Sequence, residues 1–164
     1  MPARTQPHPW IRTALSLALT LVLAACSGYP RDADDMTQRA DEQGMRVGAS
    51  HDPPWVLVAP DGRVSGPEPE LLQRYADARG YRLEWVPGGH DALMRDLERA
   101  HLHAVVGGHH RTSPWKPRVG WSQPLRARPG GDAPLPERRI ALPPGQSAWH
   151  LAFDSFLVQH GDRR

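Results

Sequence analysis

The sequence predicts an α/β domain built on a mostly parallel sheet and closed by a returning strand and a terminal helix. Three observations lead there. Short apolar runs alternate with segments of helical spacing in the order strand, helix, strand, helix, strand, which implies parallel pairing through right-handed crossovers. Helical segments stop at glycine, as at Gly80 and Gly161. A Pro-, Gly- and Arg-rich stretch then separates a last apolar run from a last helix with one aromatic face.

The elements follow in chain order. Residues 1–25 read as a secretory signal, with Arg4 and Arg12 leading, an uncharged core from Ala14 to Ala25, and small residues before Cys26. That core is shorter than the roughly 20 apolar residues that a bilayer span requires. Residues 26–44 form a polar tether with a short helix candidate, Asp34 to Gln43. Met45 to Ala49 is a strand that runs into the loop Ser50-His51-Asp52-Pro53-Pro54-Trp55. Val56 to Ala59 and Arg63 to Ser65 flank the turn Pro60-Asp61-Gly62 and read as a hairpin. Glu68 to Arg79 carries Leu71, Leu72, Tyr75, Ala76 and Ala78 at helical spacing. Arg82 to Val86 alternates as a strand, and Asp91 to Ala100 is a helix with Leu93, Met94 and Leu97 on one face. His103 to Val106 is a third strand, ending at Gly107-Gly108. Residues 126–136 form the bridge. Residues 137–164 hold the strand Arg139 to Pro143 and the helix Ser147 to His160, with Trp149, Phe153, Phe156 and Leu157 on its apolar face.

Charge and cysteine narrow the function classes. The chain has 20 Lys+Arg against 18 Asp+Glu, and loss of the signal removes Arg4 and Arg12 but no acid. The mature chain is therefore formally neutral, and no nucleic-acid partner is expected. Lys116 is the only lysine, which removes most routes to Schiff-base chemistry. With its single cysteine at position 26, the mature chain has no basis for a disulfide or a zinc-thiolate site. Eight of the nine histidines lie after the signal, among them His101, His103 and the pair His109-His110. No His-x-x-x-His helix pair occurs, and strand alternation would separate His109 from His110, so no metal and no cofactor is assigned. No Gly-x-Ser-x-Gly elbow occurs either, and the chain is not expected to be an enzyme.

Two resemblances add to this reading. Leu23-Ala24-Ala25-Cys26 resembles the bacterial lipoprotein box, which implies cleavage before Cys26 and acylation of that residue, an anchor of several chains. By the same resemblance, Ser27 favours the outer over the inner membrane. Residues 45–125 resemble the first lobe of the bacterial extracellular solute-binding proteins of family 3, the polar amino-acid binders of ABC importers. Four pieces carry it: Arg46-Val47-Gly48 with Pro53-Pro54-Trp55, Val64-Ser65-Gly66 with Glu70-Leu71-Leu72, His103 to Gly108, and Val119-Gly120-Trp121-Ser122-Gln123-Pro124-Leu125. The implied fold is a single-lobe, periplasmic-binding-protein-like three-layer sandwich. The bridge of 11 residues, 126–136, stands where the family has a whole second lobe and is too short to build one.

The same resemblance sets the functional expectations. By alignment to the family's Thr-Pro-Glu-Arg motif, Trp115 stands where an arginine would grip an amino acid's α-carboxylate. Arg111 and Arg118 are possible substitutes. The candidate ligand- or partner-binding surface is the carboxyl edge of the strands, comprising Trp55, Gly108, His109, His110, Arg111, Thr112 and Trp115. The alternative is that Trp55 and Trp115 pack on each other or against the proline loops. The expected role is a periplasmic, lipid-anchored solute-binding-like protein acting in, or as an accessory to, ABC-type transport of a small polar solute. It would bind free ligand weakly or not at all, and a permease or other envelope protein is the expected partner. A non-transport sensor or interaction module is the alternative.

Overall fold

A computed structural model describes residues 30–109, 113–125 and 137–160. The signal, Cys26, His110, Arg111, Thr112 and the 126–136 bridge lie outside the described residues. The elements are α1 (Met36–Gln43), β1 (Met45–Ala49), β2 (Leu57–Val58), β3 (Val64–Ser65), α2 (Pro67–Arg79), β4 (Leu83–Pro87), α3 (His90–Glu98), β5 (Ala104–Val106), β6 (Gly120–Trp121), β7 (Ala141–Leu142) and α4 (Ser147–His160). The sheet has five strands in the order β4-β1-β5-β7-β6, and β2-β3 form a separate antiparallel hairpin.

Strand β1 is parallel to both neighbours, with Val47 opposite Trp85 on β4 and opposite Ala104 on β5. The returning strand β7 then pairs antiparallel to β5. It is shorter than the Arg139 to Pro143 run suggests, because the ladder holds only Ala141 and Leu142. The sequence reading also misses a strand: Gly120–Trp121 pairs with β7 and ends the sheet. Such short runs lack the alternation that makes a strand visible in sequence.

Alternation along β1 sorts the core into two layers. Met45, Val47 and Ala49 face a cluster that includes Met36 of α1, Leu72 and Tyr75 of α2, and Trp149 and Phe153 of α4. The opposite face packs Leu93, Met94 and Leu97 of α3 with Val105, Trp115 and Val119. Gly48 permits that second approach. A Cβ there would lie 3.0–3.1 Å from Leu102, Val105 and Leu93. The result is three layers, with α1, α2 and α4 on one face of the sheet and α3 on the other.

The terminal helix is part of this core. Phe153 and Trp149 make edge contacts with the Tyr75 ring at 4.9 and 5.7 Å, and the Trp149 Nε1–H donates to the His103 carbonyl at 2.9 Å. Asp32, upstream of α1, accepts from the Thr37 and Trp149 amides, tying the start of α1 to α4. The helix α1 is correspondingly shorter than the Asp34 to Gln43 expectation, since Asp35 has a left-handed backbone conformation.

Candidate functional site

The carboxyl ends of β1 and β5 lie side by side and open into two loops, Ser50 to Trp55 and Gly107 to His109. The first loop is drawn tight by backbone bonds between Asp52 and Val56, with the Trp55 amide donating to the Asp52 carbonyl at 2.9 Å. The second turns at Gly107, whose φ of 93° places its α-carbon against Ser50. A Cβ there would be 2.1 Å from the Ser50 carbonyl oxygen, so the two loops can meet only through glycine.

Three charged side chains converge at this junction. Glu68, at the start of α2, is fully buried and accepts from the Gly107 amide at 2.9 Å. Asp52 accepts from the Gly108 amide at 2.7 Å. Arg138, just before β7 and only 3% exposed, bridges them: its Nε–H donates to Glu68 Oε1 at 2.6 Å and its Nη2–H to Asp52 Oδ2 at 2.6 Å. The guanidinium lies over the Trp55 ring, 4.8 Å from its centroid. Burial pushes the Glu68 carboxyl above its usual range, while Arg138 and the Gly107 amide pull it back down.

Beside this cluster sits His109, fully buried, with Nε2 3.0 Å from the Val105 carbonyl. That carbonyl fixes the neutral tautomer with the proton on Nε2. Burial and then the neighbouring His90 hold its pKa down at about 3. The His90 and Trp121 rings flank it at 5.1 and 5.2 Å. His90 Nδ1, His109 Nδ1 and Trp121 Nε1 are buried and make no hydrogen bond among the described residues. A shallow groove of about 650 Å³ lies elsewhere, between His51, Arg63 and Trp85, and its lining includes none of Asp52, Trp55, Glu68 or Arg138.

With this geometry in place, residues 45–159 match the family described as bacterial extracellular solute-binding proteins, family 3. The chain belongs to that family. Its fold is similar to the arginine-bound form of domain 1 from TmArgBP, the arginine-binding protein of T. maritima, at TM-score 0.59 and 25% identity, covering 70% of this chain and 91% of that one. A mutant of the same domain gives TM-score 0.64 at 23% identity, covering 76% of this chain and 96% of that domain. This chain is also 31% identical over 101 residues to membrane-bound lytic murein transglycosylase F 2 of Alkalilimnicola ehrlichii, a stretch that is 60% of this chain and 22% of that protein.

Within this family-3 lobe the expected surface separates into two places. Trp55 and Gly108 stand at the strand edge, and His109 lies next to them with its ring turned back toward Val105. Trp115 is on the far face of the sheet, in the α3 layer, where its Nε1–H donates to Asp91 at 3.2 Å and Arg118 covers its ring at 4.6 Å. Trp55 and Trp115 therefore do not pack on each other. Arg118 is committed to Glu98 as well, so it does not reach the strand edge as a substitute carboxylate grip.

The sequence reading did not select Asp52, Glu68 or Arg138. Glu68 reads as a solvated acid in the first turn of a helix, a normal partner for the helix dipole. Arg138 reads as one more cation, just past the 126–136 bridge and ahead of the returning strand. The available signal was position: an arginine directly before a buried strand has to point somewhere, and long-range contact with Glu68 is not encoded in local spacing.

Proposed function

We propose that this chain is a membrane-anchored periplasmic lipoprotein that carries a single solute-binding lobe and serves as an accessory to ABC-type transport of a small polar solute. The observation that carries the accessory role is Arg138. It lies at the strand edge where open α/β sheets hold their ligands, and it takes up both carboxylates and the aromatic face there. A lobe filled in this way recognises a partner through its surface rather than gripping free solute. Membership in an extracellular solute-binding family supports the compartment, and acylation of Cys26 would supply the anchor.

Calorimetry of the mature chain against a panel of polar amino acids tests the reading. No binding is expected up to millimolar concentration. A micromolar constant, which corresponds to about 8 kcal/mol, lost on Trp55→Ala, would show that one lobe suffices and remove the accessory role. The anchor has its own test: Cys26→Ser should abolish labelling by a palmitate analogue, and a variant still labelled and membrane-bound would end that assignment.

A second reading has one observation in its favour. The match to a murein transglycosylase supports a non-transport sensor or protein-interaction module that reuses the lobe in the envelope. Co-purification from cross-linked cells separates the two, since a permease would support transport and an enzyme of wall metabolism would support the alternative.

A further inference from the structure

We propose that Asp52, Glu68 and the Trp55 ring form a receptor for the guanidinium group of a small solute, and that Arg138 is its built-in occupant. This rests on reading the strand edge as the lobe's solute edge. The geometry selects a guanidinium over other cations. Two donors of one planar group reach two different carboxylates, Nε to Glu68 and Nη2 to Asp52, each at 2.6 Å. The Cζ of the same group lies over the Trp55 ring, 4.8 Å from its centroid. An ammonium has neither the in-plane fork nor the stacking face.

The receptor groups are aimed by more than their occupant. The Gly107 amide fixes Glu68 and the Gly108 amide fixes Asp52, so both carboxylates are aimed by backbone donors as well as by Arg138. Trp55 is positioned by its own loop through the Asp52 carbonyl. Because Arg138 belongs to the same chain, its effective concentration at the pocket is in the millimolar range or above. Free guanidinium solutes at micromolar concentration cannot displace it. Arg138 thus converts a solute pocket into a closed one and sets the specificity of the lobe by exclusion.

The test is chemical rescue. The mature chain carrying Arg138→Ala is titrated with methylguanidinium, with methylammonium and sodium chloride at matched ionic strength as controls. Methylguanidinium should raise the melting temperature of the variant by about 5 °C at ten times its dissociation constant and change Trp55 emission, and the controls should do neither. The unaltered chain should not respond. If Arg138→Ala is unfolded, recovery of its native circular dichroism on adding methylguanidinium is the equivalent readout, and no recovery overturns the proposal. An equal response to methylammonium, or a response that persists in Arg138→Ala/Glu68→Gln, also overturns it. The outcomes separate this inference from the accessory role: absent rescue with a silent unaltered chain removes the receptor alone, whereas solute binding by the unaltered chain removes the accessory role.

Discussion

Two tryptophans of this lobe each lie under an arginine paired with carboxylate, and they differ in where they sit. Trp55 lies under Arg138, which is paired with Glu68 and Asp52. Trp115 lies under Arg118, which is paired with Glu98 through two bonds. Ring-to-guanidinium distances are nearly equal, at 4.8 and 4.6 Å. The difference is water. Arg138 is 3% exposed and Glu68 is fully buried, whereas the Arg118 side chain is 51% exposed and that of Glu98 31%. Similar contacts therefore have different energetic consequences, because a buried ion left without its partner has no solvent to turn to. One assembly is a committed part of the fold, and the other decorates a surface.

The largest break follows from Arg138→Ala. It leaves Glu68 buried with the Gly107 amide as its one remaining hydrogen-bond donor among the described residues, and removing one partner of a buried pair costs about 3–5 kcal/mol. Such a loss is a large share of the stability of a small domain. Urea denaturation should show a midpoint drop with little change in slope, and a loss under 1 kcal/mol would mean that the Trp55 assembly is as solvated as the Trp115 one.

Acid should produce the next largest effect, through two buried imidazoles. The His109 pKa is held at about 3 by burial, by His90 and by Arg138, with Asp52 acting in the opposite sense. The His103 pKa is held at about 4 by burial and by Arg39 and Arg46, and its Nδ1 accepts from the Arg46 amide, a bond that only a ring unprotonated at that nitrogen can make. Both values lie below the ordinary histidine value, so between the two limits the unfolded chain binds protons that the native chain does not. Stability from these groups is complete above about pH 6.5 and is lost as pH falls through about 4 for His103 and about 3 for His109, roughly 2–4 kcal/mol of it between pH 6.5 and 5. His103→Gln should flatten that slope. An unchanged pH profile would show that the imidazoles titrate in water.

How much of this contrast was legible in the sequence depends on the range of the interaction. The three parallel strands, the helix from Leu71 to Ala76 and the aromatic face of Trp149, Phe153 and Phe156 are written in local periodicity, and the structure buries the apolar side chains of β1, β5, the helix and the aromatic face, while Leu83 and Trp85 of the edge strand β4 are half-buried. The Gly107-Gly108 turn was visible as well. Local spacing could not reveal the distant partner of Glu68, 70 residues away at Arg138. It also could not show that Trp115, close in sequence to the strand edge, would fold under α3 and leave Trp55 alone there.

Asp52 offers an intermediate case. Its side chain is 28% exposed, so its charge is partly solvated while it still accepts from Arg138 and Gly108. Asp52→Asn keeps an acceptor and should cost about 1.5–3 kcal/mol, the range for a hydrogen bond to a charged group. A cost equal to that of Arg138→Ala would place the energetic centre of the assembly at Asp52 rather than Glu68.

The smallest effect should come from Arg118→Ala, although its contacts look as good on paper. The two bonds to Glu98 are short, and the guanidinium lies over the Trp115 ring. With half of the side chain in water, though, the pair competes with hydration, and exposed ion pairs typically contribute about 0–1 kcal/mol. Trp115 itself is buried chiefly by the α3 layer and keeps its hydrogen bond to Asp91 without Arg118. The cost of the substitution should shrink further in 1 M salt, where the screening length falls to about 3 Å. The cost of Arg138→Ala should hardly change under the same conditions, because no counterion reaches Glu68. Measuring both variants in low and high salt is therefore the sharpest form of the comparison. A salt-independent loss above 2 kcal/mol at Arg118 would mean that the Trp115 assembly is closed to solvent and that burial is not what distinguishes the two.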